Sequence, residues 1–510
     1  MNSFFRRNIL ALQLALLSSF FWMNVNSQTF NNNYGIPGTS QQYLEAARSI
    51  EIVDDRIISL FHRYDSEIGT GKLWKYSFDL LGTLLDSNSF ELDSASIEIW
   101  GYNGVNKTSE NGLLATGVIN DLIDNNNSYD SDFGAAILLD SNLDTIWVRR
   151  IGHITNYNET LQARQCANGD FIFVGMSDIN NLNLDVLVAR FDSEGNHLWT
   201  RNYGTQPGYE EWGWTIVETS EGDFIVGASV YQNINQPNTH LLMKIDEEGD
   251  LINYQIFGDW SMSIGWPKLE YCSDGNFIYC GSSYPSSSFD RDAYFCKIDS
   301  DLNIIWETQY PLAPELGYMF SIKENPDGSF ISVGGGKKEN GEDEGILVKL
   351  DAEGQMLWNR RYQHALDPFY VNYLYDVVPA PSGGYVASGT TLPVPQGQQI
   401  WLLKVDSMGC LVPGCDTLVS VFELEKNFVG FELYPNPASD VLNVYFESLS
   451  PHPDGVFTVY NLQGQAVHSF NATSSGITYI LQVTDLPQGM YVLEYTDGAG
   501  VKMSKKWVKE

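Results

Sequence analysis

The chain has 510 residues, 43% hydrophobic and 13% aromatic, with 45 Gly, a composition suited to a globular protein of many short strands and tight turns. It carries 29 Lys plus Arg against 64 Asp plus Glu, a formal net charge of −35. A surface of that sign repels a phosphate backbone, which argues against nucleic acid as a partner. The acidic residues are scattered singly at turns and form no acidic tail.

The N-terminus has the pattern of an export signal. Arg6 and Arg7 precede an apolar run from Ile9 to Met23, and Val25-Asn26-Ser27 resembles a cleavage site, so residues 1–27 are expected to be a signal peptide. That run is too short for a membrane anchor, and no later segment reads as a transmembrane span.

Beyond it the sequence repeats. An apolar strand ending in Asp, a turn, and a second strand that often carries Trp recur with turn aspartates at Asp79, Asp140, Asp192, Asp246, Asp299, Asp351 and Asp406. The last five intervals are 52, 54, 53, 52 and 55 residues; the first is 61, which a polar insertion from Asp121 to Asp132 explains. A second element, a polar-Gly turn followed by a β-run, precedes most copies: NGDFIFVG (168–175), EGDFIVGA (221–228), DGNFIYCG (274–281), DGSFISVG (327–334) and SGGYVASG (382–389). Turns of this kind between strands signal hairpins. Each repeat therefore holds four strands, with long polar loops such as 336–345 between the second and third. Four antiparallel strands at this period describe a β-propeller blade, and seven copies predict a seven-bladed propeller over residues 28–415. The Asp side chain is expected to bond backbone within its hairpin, and the Trp to fill the wedge between blades. A parallel β-helix has much shorter coils. The repeats resemble the Asp/Gly/Trp propeller repeats of exported Bacteroidetes proteins, which implies a fold and no particular reaction.

Six cysteines are too few to build the fold. Cys410 and Cys415 bracket Pro413-Gly414 and are expected to close a small disulfide loop in an oxidising compartment, whereas Cys166, Cys272, Cys280 and Cys296 lie in strand-like runs and read as buried thiols.

After a linker at 416–430, residues 431–510 alternate as short strands and predict a small Ig-like β-sandwich. Tyr434, Pro435, Asn436, Pro437, Ala438 and Asp440 are followed by Leu462 and Gly464, then Leu486, Pro487, Gly489 and Tyr491, then a basic end with Lys502, Lys505, Lys506 and Lys509. In this order they closely resemble the type A C-terminal sorting domain of type IX secretion substrates. The resemblance implies the type IX machinery as a partner, a Gram-negative source, and a cargo released or held at the cell surface. An ordinary Ig-like domain, with both prolines shaping an edge, is the plainer reading.

Chemistry is sparse. The seven histidines (His62, His153, His197, His240, His364, His452, His468) show neither HExxH nor a pair at ligand spacing, and there is no GxSxG elbow or P-loop. The turn from Asp192 to Trp199 is similar to the sialidase Asp-box and to the Trp-docking motif of quinone propellers, yet differs from both in spacing. No catalytic residue, cofactor or metal is assigned. Asp121, Asp124, Asp130 and Asp132 read as a solvated loop more readily than a calcium site.

Aromatics expected just before the first strand of a blade, namely Trp212, Trp214, Trp266, Tyr318, Tyr370 and Tyr373, are the ligand-binding candidates, with blade-to-blade packing as the plainer role. The sequence therefore suggests an exported propeller that binds an extracellular glycan or protein. The alternatives are a glycan-active enzyme and a structural surface protein. Three or more carboxylates converging in the channel would favour the enzyme; an open aromatic platform without them would favour binding.

Overall fold

A computed structural model describes residues 29–34, 48–65, 70–92, 95–99, 104–122, 129–153, 156–178, 183–231, 238–257, 267–283, 292–311, 316–337, 341–364, 371–392, 399–411, 431–446, 455–461, 465–471, 478–496 and 502–510. The signal segment and the linker lie outside them. The chain divides into two compact units, Met1–Thr417 and Leu418–Glu510.

The described residues of the first unit form seven antiparallel sheets with four strands along each principal path. Blades 1 to 6 begin with the strands Ile50–Val53, Ala95–Glu98, Asn158–Gln165, Glu210–Glu218, Lys268–Tyr271 and Leu316–Glu324, and blade 7 with Asn372–Pro379. Seven apolar clusters each bridge two successive sheets, from blades 1 and 2 (Ile58, Leu60, Ile97, Ile137) round to blades 7 and 1 (Val386, Leu402, Ile57, Phe61). The ring is therefore closed, and the fold is a β-propeller. No blade buries both its faces alone, so closure is the condition for the core.

Blade 7 differs from expectation. Nothing after its Asp turn forms a fourth strand among the described residues; Phe30–Tyr34 supplies it instead, antiparallel to Gln399–Val405. Strand pairing between the two ends of the unit thus locks the ring. Blade 2 differs as well. Strands Leu113–Leu122 and Tyr129–Leu139 enter the two ends of the predicted insertion, whose middle lies outside the described residues, and a short extra strand, Val105–Lys107, adds to the inner edge. The polar loop expected at 336–345 is also shorter, because strands run to Lys337 and from Asp343.

All seven repeat aspartates do the same work. In each turn one carboxylate oxygen accepts the backbone N–H groups of the residues two and four positions on, at 2.7–3.1 Å. These bonds satisfy donors that the tight turn would leave without partners.

The residue three positions after each Asp has a left-handed backbone, with φ between 69° and 83°. It is Gly in five blades, and there it faces an aromatic ring of the preceding blade: Gly195 on Trp147, Gly249 on Trp199, Gly354 on Trp306, Gly409 on Trp358 and Gly82 on Phe30. A Cβ at these glycines would lie within 2.6–3.0 Å of a ring carbon. Blades 2 and 5 carry Leu143 and Leu302 instead, at φ 69° and 70°. In both cases the preceding blade has an exposed polar residue, Asp86 or Asn253, at the Trp position, and the leucine side chain is buried where a ring would otherwise lie. One volume is thus filled either by the ring of one blade or by the leucine of the next. The left-handed strain of a leucine is tolerated for the burial it gives.

Cys410 is disulfide-bonded; its expected partner Cys415 lies outside the described residues. Cys166, Cys272, Cys280 and Cys296 are free and buried, as their strand settings suggested.

The second unit is a two-sheet β-sandwich. Phe431–Tyr434, Val441–Phe446 and Thr478–Gln482 form one sheet, and Val456–Asn461, Ala466–Asn471, Gly489–Thr496 and Lys502–Lys509 the other. Thr478–Gln482 is a strand that the sequence reading passed over. Phe457, Leu493, Tyr495 and Trp507 fill the core with Leu442 and Val444 of the facing sheet.

The ring-or-leucine exchange predicts non-additivity. Gly354→Leu alone should destabilise by about 2–4 kcal/mol through overpacking on Trp306. Adding Trp306→Asn, which copies the natural Asn253/Leu302 pair, should restore at least about 1 kcal/mol in chemical denaturation. Simple addition of the two losses would refute the shared volume.

Candidate functional site

The innermost strands of neighbouring blades touch one another, Val105–Lys107 making these contacts for blade 2, so these strands line the axis. Each runs into its Gly turn or, in blade 1, the tight turn at Asp54-Asp55, and several of those turns are bonded to the neighbouring blade. Asn111 Nδ2 donates to Asp54 Oδ1 at 3.1 Å, and Ser109 N donates to Gln165 Oε1 at 2.7 Å. Ala167 N and Ser273 N donate to Glu218 and Glu324 at 2.6 and 2.7 Å. The turns therefore share one end of the channel. The other end, where the innermost strands begin, is called the mouth below.

Toward the turn end the channel holds an ionic cluster. Glu270 of blade 5 receives Arg164 Nη2 of blade 3 at 2.6 Å, Lys323 Nζ of blade 6 at 2.8 Å and Lys268 Nζ of its own strand at 3.4 Å. Asp376 of blade 7 accepts from Ser321 Oγ at 2.7 Å and from Ile50 N at 3.0 Å, and so links blades 6, 7 and 1. Glu51 of blade 1 lies within electrostatic reach of Lys323, Asp376 and Arg164. Burial alone would raise the Glu270 carboxyl, but Arg164, Lys323 and Lys268 together hold it below the usual carboxylate range. Lys268 goes the other way: burial brings its ammonium down to about 7, because the nearer Arg164 and Lys323 already share the carboxylate. Glu51 is pushed up by burial. Three carboxylates and three cations thus balance across five blades. Three carboxylates do converge in the channel, the arrangement expected of an enzyme, but Glu270, held by three cations, has no proton to give near neutral pH, so this cluster acts as a tie across the ring.

The mouth is chemically different. Trp212 and Trp214 lie within the first strand of blade 4, and Tyr318 and Tyr373 within those of blades 6 and 7, so these four do not precede their strands as expected. All four are partly exposed. They form two groups instead of one platform. Trp212 packs on Trp214 and Tyr231, with ring centroids 5.9 and 4.9 Å apart. Tyr318, Phe320, Tyr373 and Tyr375 form the second, in which Phe320 and Tyr375 are 5.2 Å apart. Trp214 Nε1 donates to Ser229 Oγ at 2.7 Å and Tyr373 Oη to Asp343 Oδ1 at 3.0 Å, which fixes both rings. Trp266 and Tyr370 lie outside the described residues.

Blades 2 and 3 hold a further group, for which the sequence carries no motif. Tyr157 Oη donates to Glu159 Oε2 at 2.7 Å, and Tyr157 N to Asp178 Oδ1 at 2.6 Å. Burial raises the Glu159 carboxyl to about 7; Tyr157 and Arg48 oppose that rise, while Asp132 and Glu98 add to it. Burial also raises Asp132. The group combines a carboxyl poised to exchange a proton near neutrality with further carboxylates and a guanidinium.

His240 is buried between Phe257 and Tyr294, bonded through Nδ1 to Tyr279 Oη, and burial brings it down to about 3, so it stays neutral in the core. His197 is exposed on an outer strand. Among the described residues no group of three or more His, Cys, Asp or Glu side chains is placed to hold a metal; Asp124 lies outside them.

The sorting residues are tied to the end of the chain. Asn436 Oδ1 accepts Val508 N at 2.9 Å, Ala438 N donates to Val508 O at 2.8 Å, and Glu510 N to Ala438 O at 3.0 Å. Tyr491 stacks on Trp507 with centroids 5.4 Å apart and donates to Pro487 O at 2.8 Å. Pro435 and Pro437 both follow cis peptide bonds. Gly464 lies outside the described residues. Residues 432–510 match the family model of the secretion system C-terminal sorting domain. This chain is a type IX secretion substrate. Its sorting domain directs it through the type IX machinery to the cell surface or extracellular space, with a β-propeller as cargo.

Solved structures resemble this chain weakly. A protein of unknown function from Dyadobacter fermentans DSM 18053 is 10% identical, with a TM-score of 0.44 over 75% of this chain and 98% of its own. Polysaccharide lyase Uly1 is 9% identical, with 0.43 over 75% and 98%. The β-propeller domain of the trilobed protease from Pyrococcus furiosus is 9% identical, with 0.39 over 71% and 95%. A search of curated proteins finds no match.

Two outcomes follow. Glu270→Gln removes the carboxylate that Arg164, Lys268 and Lys323 all contact and should cost about 3–5 kcal/mol in equilibrium unfolding. Because Glu159 has a folded pKa above its unfolded one, wild-type stability should decline as pH rises from about 4.5 to about 7. Glu159→Gln should remove that decline, and melting curves across the range would reveal it.

Proposed function

We propose that this protein is a secreted or surface-displayed binding module whose propeller mouth takes an extracellular glycan. The observation that carries the reading is the partial exposure of Trp212, Trp214, Tyr318 and Tyr373 on the innermost strands, which line the channel. Amphipathic rings fixed by a hydrogen bond and set beside carboxylates suit the apolar face and hydroxyl edge of a sugar. The ionic cluster lies toward the turn end of the channel and ties the innermost strands of five blades together. Residues 1–27 act as the signal for crossing the inner membrane, and 431–510 as the tag for the outer one.

A second reading, a glycan-active enzyme, is favoured by Glu159, whose carboxyl near 7 suits a general acid, with Glu98 and Asp132 in reach. Release of reducing ends from a glycan found to bind, lost in Glu159→Gln while binding persists, would establish it.

Glycan and peptide arrays probed with the whole mature protein identify the ligand. Trp214→Ala should then weaken binding at least about tenfold with the melting temperature held. A stability loss of about 3–5 kcal/mol would instead mark Trp214 as a packing wedge and sink the binding role. Deleting residues 431–510 should leave a folded propeller in the periplasm, measured by cell fractionation; normal surface display of that truncation would overturn the assignment of the tag.

A further inference from the structure

The wedge between blades 2 and 3 is built differently from the others. Eleven residues after the repeat Asp, blades 3, 5 and 6 carry Tyr203, Tyr310 and Tyr362, each donating its hydroxyl to the carbonyl of the turn glycine in the next blade. Blade 4 has Phe257 there, also buried. Blade 2 has Ile151, and the carbonyl of Gly195 is taken by Arg149 Nε at 2.8 Å instead. The missing ring leaves a cavity of about 460 Å³ bounded by Ile151, Arg150, His153, Asn158, His197 and Asn202, among others. That volume lies within the range of small-ligand sites, about 300–1,000 Å³.

Its chemistry runs against the rest of the protein. With 64 acidic residues in the chain, none of the residues lining this cavity is Asp or Glu. The lining instead holds one guanidinium, two of the seven histidines, three Asn amides and two hydroxyl side chains. The rim is fixed: Asn158 Nδ2 lies 2.8–3.0 Å from the carbonyls of Asp132, His153 and Asn156, its Oδ1 accepts from Ser177 Oγ at 2.8 Å, and His197 Nε2 pairs with Thr200 Oγ1 at 2.8 Å. Asn202 Nδ2 is buried and has no hydrogen-bond partner, an arrangement a ligand acceptor would satisfy.

We propose that this cavity binds a single anionic sugar unit, its carboxylate or sulfate group toward Arg150 and the histidines and a hydroxyl toward Asn202 Nδ2. A planar guanidinium matches the forked anion, and the Asn202 amide supplies a donor to a sugar hydroxyl. The site stands apart from the mouth rings and does not depend on their role.

Calorimetry or ligand-observed NMR with the whole mature protein tests it, using glucuronate, glucose 6-sulfate and neutral glucose as probes. At least one anionic probe should bind about tenfold or more tightly than glucose, and the one that does identifies the charge the site reads. Arg150→Gln should cost the anionic probe about tenfold and change glucose little. Ile151→Tyr places in blade 2 the side chain that blades 3, 5 and 6 already accommodate. It should abolish binding of every probe while the melting temperature holds or rises. Equal affinity for glucose and both anions, no binding of any probe by about 10 mM, or full binding by Ile151→Tyr would each overturn the proposal.

Discussion

The contact on which the ring depends is the aromatic side chain of one blade lying across the left-handed residue of the next blade's Asp turn. The turn needs a positive φ there, which favours glycine; glycine leaves a shallow depression; and the depression admits a flat ring. Arg149, Arg201 and Arg360 then lie over Trp147, Trp199 and Trp358, and covering tyrosines reach the turn glycine's carbonyl. Turn, wedge and blade spacing are thus one device repeated round the ring. Where the ring is absent, a leucine of the following blade takes the same space, so the requirement is filled volume and not tryptophan itself.

This explains what could be read from the sequence. The aspartates, the Gly turns and the apolar runs express local backbone chemistry, and local chemistry leaves a periodic trace. Phe30–Tyr34 leaves none. Its sequence, FNNNY, has no alternating pattern and no turn signal, and it becomes a strand only because the edge of Gln399–Val405 offers unpaired backbone groups. Strand Thr478–Gln482 was missed because the polar stretch before it masks a short apolar run.

The candidate site was legible only in part. Trp212, Trp214, Tyr318 and Tyr373 could be singled out because aromatics near the first strand recur, but their division into two groups depends on which blades carry them. The Arg164–Glu270–Lys323 cluster joins residues about one repeat or two apart, each an unremarkable charge in its own strand. One signal was available: all three stand two positions before the turn cap of their blades, at Cys166, Cys272 and Asn325. Aligning the repeats on that turn places them in one layer with Glu51. Glu159 offered less, because its raised carboxyl comes from burial and from neighbours on other strands, which no spacing rule encodes.

The same reasoning says where function can reside in a chain so regular. The inter-blade wedges are constrained by volume, and the lower channel by charge balance, since each cation there answers a buried carboxylate. Change is tolerated at the mouth and at places where the repeat is broken and repaired. The wedge between blades 2 and 3 is such a place: Arg149 takes over the hydrogen bond that a tyrosine makes elsewhere, the ring becomes dispensable, and a polar cavity opens at no loss to the turn. A departure from the repeat that comes with its own compensation differs from simple decay, which would leave the Gly195 carbonyl without that donor. In a repeat protein, compensated departures of this kind are where a binding surface can be built without weakening the ring that supports it.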